Sequence, residues 1–83
     1  MIHKYRKKVP IEAEQFDGSA VMKQKYGIHE AKVPNMVTDL NLYLPTKEGN
    51  TVINCGDWIA TGIVGEHWVI ANDIFHRTYE RCD

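Results

Sequence analysis

Apolar and polar positions alternate with a period of two along much of this chain, and the elements they predict are mostly strands. Ile11, Ala13 and Gln15 alternate with Glu12 and Glu14 inside a stretch running from Tyr5 to Phe16, the pattern of a strand with one face buried. Pro10 puts the edge or the start of a strand there. Leu40, Leu42 and Leu44 alternate with Asn41, Tyr43 and Pro45, and Lys47-Glu48-Gly49-Asn50 reads as a hairpin turn leading into Thr51 to Asn54. Cys55-Gly56-Asp57 is a further turn. Trp58 to Val64 is rich in β-formers, Gly65-Glu66 turns the chain, and His67 to Ala71 returns it. Asn72-Asp73 breaks the pattern, and Ile74 to Arg81 predicts a last strand with Phe75 and Tyr79 on one face and Ile74, His76 and Thr78 on the other. One short helix is expected over Ala20 to Tyr26, capped by Ser19 and closed by Gly27. Residues 28–39 follow no clear period, and Pro34-Asn35 marks a loop.

About six strands and one short helix make this a β-rich α+β chain. Short links between successive strands favour antiparallel neighbours. The expected architecture is a small antiparallel meander or partly open barrel with the helix across one face or end. The 83 residues suffice for one domain, 1–83. So small a core gains from added buried surface, which predicts a homo-oligomer, a dimer or tetramer. No apolar stretch approaches the length of a membrane span, and no apolar run follows the basic N-terminus.

Charge and chemistry-bearing residues narrow the functions. Lys4, Arg6, Lys7 and Lys8 crowd into the first eight residues without an acid, whereas the remainder carries six basic and eleven acidic residues. Such an arm can meet an anion, or pair with an acidic surface of the same or a neighbouring subunit. Cys55 and Cys82 make no disulfide framework. His3, His29, His67 and His76 never fall at metal-binding spacing, and no C-x-x-C is present. No metal or other cofactor is expected. Gly62-Ile63-Val64-Gly65 sits inside a hairpin and not between a strand and a helix, so it is no phosphate cradle. Ser19, the chain's one serine, lies outside any nucleophile elbow. Asp57 and Glu66 fall at turns, where carboxylates are ordinary, and Glu66 and His67 point to opposite sides of a strand. A catalytic role is therefore not expected. Trp58 and Trp68 occupy facing strands of one hairpin, and they read either as core or as a stacking surface. Strand alternation puts Arg77 and Arg81 on the face of Phe75 and Tyr79, suited to phosphate contact or to a surface salt bridge.

The N-terminal end reads Tyr5-Arg6-Lys7-Lys8-Val9-Pro10-Ile11-Glu12-Ala13-Glu14-Gln15-Phe16-Asp17-Gly18. The C-terminal half carries Gly56-Asp57-Trp58-Ile59-Ala60-Thr61-Gly62, Gly65-Glu66-His67-Trp68, Asp73-Ile74-Phe75 and Thr78-Tyr79-Glu80, with Leu44-Pro45-Thr46 before the Glu48-Gly49 turn. In these stretches the chain resembles a widespread family of small phage and prophage proteins. Residues 19–39 are not covered. The chain departs from the family in its early Val-Pro order and in Ile70-Ala71-Asn72, where the family often has a proline and a lysine. Some small phage proteins similar to this one are anti-CBASS sponges, which sequester cyclic dinucleotide defence signals such as 3′,3′-cyclic GMP-AMP without cleaving them. The resemblance implies that role in the cytoplasm of an infected bacterial host.

On that reading Tyr5, Arg6, Lys7 and Arg77 are candidates for phosphate contact. Trp58 and Trp68 are candidates for base stacking, and Thr61 and Asn72 for base-edge hydrogen bonds. The alternative is a phage protein that binds a host protein, or a small structural component, since edge strands can recruit a partner. Polymeric nucleic acid ranks lower, because the net charge is −1.

Overall fold

The computed structural model describes residues 2–4, 11–32 and 40–81. Six antiparallel strands form two three-stranded sheets that do not close into a barrel, and two short helices accompany them. The strands are β1 (Glu12–Gln15), β2 (His29–Lys32), β3 (Leu40–Thr46), β4 (Gly49–Ile53), β5 (Trp58–Thr61) and β6 (His67–Ile70). The helices are α1 (Ala20–Tyr26) and α2 (Asn72–Thr78). The β-rich α+β class is as expected. The sheet orders, β2-β3-β4 and β1-β5-β6, show a local meander in one sheet and a long-range pairing of β1 with β5 in the other.

Helix α1 forms where the capping residues predict it. Ser19 Oγ accepts from the Met22 N–H at 3.2 Å. Gly27 takes a left-handed φ of 69°, and the N–H groups of Gly27 and Ile28 both return to the Lys23 carbonyl, which satisfies the helix end. Before the helix, Asp17 Oδ1 accepts from the Ser19 N–H at 2.8 Å. Gly18 is required there, because its φ is +79° and a Cβ would lie 2.8 Å from Cys55 Sγ.

Pro45 lies in the central strand of its sheet, where a missing N–H is usually excluded. The register explains it. His29, the first residue of β2, pairs with Tyr43, so the position beside Pro45 on that side lies past the end of the strand. The core comprises Phe16, Met22, Ile28, Leu44, Ile53 and Ile59, with Tyr26, Leu42 and Val69 packed against it. Phe16 is locked in by backbone bonds of 2.8 Å to and from the Gly56-Asp57 turn.

Four sequence expectations change. Residues 29–32 form β2, although they carry no legible period, because β3 supplies their hydrogen bonds. On β1 the alternation is reversed. Ala13 and Gln15 are exposed, whereas Glu14 is half-buried on the side of Phe16, held there by partners from α1. The β5–β6 strands are shorter than predicted, and the turn spans Gly62 to Gly65, closed by Gly65 N–H to Gly62 O at 3.1 Å. The last element, expected as a strand over Ile74 to Arg81, is helix α2 with Tyr79 as its C-cap. No helix among the described residues is long and apolar enough to cross a membrane.

Candidate functional site

The pairing of Trp58 with Ile70 and of Ala60 with Trp68 sets both tryptophans on one face of the β1-β5-β6 sheet. Helix α2 anchors itself on that face. Phe75 lies parallel to Trp58, with ring centroids 4.0 Å apart and planes 4° apart. Tyr79 stacks next to Phe75 at 5.3 Å and 22°. His76 meets both Trp58 and Phe75 edge-on. Phe75 and Tyr79, four apart, share a helix face as readily as they share a strand face, so their spacing does not decide between the two. The Trp58 ring does, because it offers an apolar anchor to a helix that has no side-chain cap and no buried residue. Asp73 in the first turn and His76 and Arg77 in the last also suit the helix dipole.

The helical geometry corrects the expected position of Arg77, which no longer shares the Phe75–Tyr79 face by alternation. It pairs instead with Asp73 at 3.0 Å. Asn72 is tied to the stack through its Oδ1, which accepts from Trp58 Nε1 at 2.8 Å and from Gln15 Nε2 at 3.4 Å. Trp58 and Asn72 are thus joined directly, whereas Arg77 is placed by its pair with Asp73. Trp68 lies on the same sheet face beside Gly62, where an added Cβ would come 3.2 Å from its ring.

Thr61 belongs elsewhere. It lies on the opposite sheet face, with its Oγ1 3.0 Å from His67 Nδ1. A shallow cleft of about 320 Å³ opens there between β1 and α1, lined by Glu12, Glu14, Lys25, Tyr26 and Thr61 among others. Glu14 Oε1 accepts from Lys25 Nζ at 2.8 Å and from Tyr26 Oη at 2.5 Å. The Lys25 and then the Tyr26 hydrogen bonds hold the Glu14 carboxyl below its ordinary range. Burial, followed by the Glu14 hydrogen bond, pushes the Tyr26 phenol up. His67 meets the Tyr26 ring edge-on at 5.1 Å.

The Thr61–His67 contact is a hydroxyl on an imidazole, which sequence reasoning missed because it forms only when β5 and β6 pair. Among the described residues no carboxylate orients the other His67 nitrogen, the third group such a pair needs to act as an activated nucleophile. Tyr5, Arg6 and Lys7, the other sequence candidates, lie outside the described residues. Tyr79 joins the ladder through helix α2, and its place four residues after Phe75 is visible in the sequence. Comparison with protein-family models, curated proteins and solved structures finds no match.

Proposed function

We propose that this chain is a non-catalytic binding protein that sequesters cyclic dinucleotides in the cytoplasm of an infected bacterial cell. The observation that supports it is the half-buried Trp58–Phe75–Tyr79 ladder, with the Asn72 amide bonded to Trp58 and the Arg77 guanidinium on the same short helix. One Trp58 face is covered by Phe75, so the purine stacks on the outer ring of the ladder, Tyr79, in place of Trp58. Asn72 Nδ2 donates to the base edge. Arg77, three-quarters exposed in its ion pair with Asp73, swings to a phosphate at little cost, because an exposed pair is held weakly. The resemblance of the chain ends to small phage proteins supplies the ligand class.

Isothermal titration with 3′,3′-linked cyclic dinucleotides tests the reading. Saturable heat is expected, with intact nucleotide recovered after denaturation. Tyr79→Ala should weaken binding by about five- to 150-fold, the equivalent of ~1–3 kcal/mol for one stacked base. Absence of heat and of any thermal shift at high ligand concentration overturns it, and linear nucleotide products would replace the sponge by a hydrolase.

A second reading, docking on a host protein, is favoured by the tip of the β5–β6 hairpin. Ile63 and Val64 are 82% and 74% exposed there, at turn positions that polar residues usually fill. Pull-down from host lysate with wild type and with Ile63→Ser/Val64→Ser decides it. A partner captured by the wild type and lost in the variant supports docking. Equal capture, or none, refutes it.

A further inference from the structure

We infer that β4 pairs edge to edge with β4 of a second copy, so that two β2-β3-β4 sheets join into one across a two-fold axis. β4 is the last strand of its sheet, and Gly49, Asn50, Thr51 and Val52 are all exposed. Exposed strand edges are normally protected by charge, proline or a bulge. β1 carries Glu12 and Glu14, and β2 carries Glu30 and Lys32. β6 lies beside β3 and β4. β4, with the sequence Gly-Asn-Thr-Val-Ile, has no charge and no proline, and its register with β3 runs without a bulge from Thr46↔Gly49 to Leu42↔Ile53. Among the described residues it is the unprotected edge.

The register fixes which backbone groups are on offer. Pro45 has no N–H to give to its partner Asn50, and a two-residue turn closes on a hydrogen-bonded pair, here Thr46 and Gly49. Alternation then sends the N–H and C=O of Asn50 and Val52 away from β3. An antiparallel pairing centred on Thr51 sets Asn50 of one copy opposite Val52 of the other, and both outward pairs exchange their N–H···O bonds. Thr51 meets Thr51 at the axis, a favourable cross-strand pair. The Lys47-Glu48 turn passes beside the uncharged Asn54-Cys55 segment of the second copy, so no like charges oppose. On the outer face, Val52, the register partner of Tyr43, lies opposite Asn50 of the second copy and diagonal to its Val52.

Sedimentation equilibrium of the full chain over a concentration series should show a species of twice the 9.5 kDa chain mass. Val52→Pro removes an outward N–H and leaves the β3–β4 ladder intact, so it should lose the dimer and keep the wild-type circular dichroism. Thr51→Lys, an exposed change that opposes two like charges at the axis, should do the same and serves should the proline variant fail to fold. Thr51→Cys in a Cys55→Ser, Cys82→Ser background should cross-link on oxidation, because a non-hydrogen-bonded antiparallel pair brings Cα atoms within disulfide range. A wild type that is monomeric throughout, a dimer that survives in a folded variant, or no cross-link overturns the inference.

Discussion

The two helices have the same length and different supports. α1 is bounded by residues that close it locally, Ser19 at its start and Gly27 at its end, and it buries Met22. α2 has Ala71 at its N-cap position, with no side-chain cap, and buries nothing completely. Seven residues are too few for either to persist alone in water. α1 therefore combines local closure with one core anchor, whereas α2 depends on a stack of rings. The difference teaches that a helix written into its own flanking residues can be read from sequence. One supported by a remote ring cannot.

The largest expected effect is on α1's core anchor. Met22→Ala should cost about 2–5 kcal/mol, a large share of the stability of a domain this size, and urea denaturation should show it as a global loss. Should the loss be well under 1 kcal/mol, α1 is held by its caps and the contrast between the helices fails.

Phe75→Ala removes the centre of the ladder. About 0.5–1.5 kcal/mol beyond its area burial is expected from the lost aromatic pairing. Hydrogen exchange should show α2 amides losing protection while α1 amides keep theirs. Equal loss in both helices would mean that α2 is part of the global folding unit.

The caps test the same contrast at a smaller scale. Ser19→Ala should destabilise by about 1 kcal/mol, and Ala71→Asp should stabilise α2 by a comparable or smaller amount, since it adds the missing acceptor and a favourable charge at the helix start. Thermal melts of both variants check the two signs.

The smallest effect is a pH dependence of the contacts between β1 and α1. Glu14 has its pKa lowered by Lys25 and Tyr26. Its carboxylate therefore contributes stability in full above the ordinary value near 4.5, and that contribution is lost as pH falls through the lower folded value. Tyr26 has its pKa raised from 10.0. Its contribution is present below that ordinary value and disappears as pH rises through the raised one. Melting temperature against pH should fall less steeply at the acid end for Glu14→Gln than for wild type. Identical acid slopes would show that the Glu14 contacts contribute nothing in solution.

The sequence by itself determined what neighbouring residues decide. The β-rich class, α1 with both its caps, the Leu40–Leu44 strand and the turns around Glu48 and Gly56 all follow from side-chain alternation, capping chemistry and glycine freedom, which act within a few residues. Tertiary structure decided everything that two distant segments settle between them. Phe75 and Tyr79 suit a strand or a helix equally until Trp58 supplies a ring for Phe75 to stack on. Glu14 reads as a solvent-facing residue until Tyr26 and Lys25 hold its carboxylate on the inner side of β1. β2 has no pattern of its own and becomes a strand because β3 offers it a ladder. In each case the free energy lies in a contact across the fold, and a local pattern carries no record of which partner will arrive.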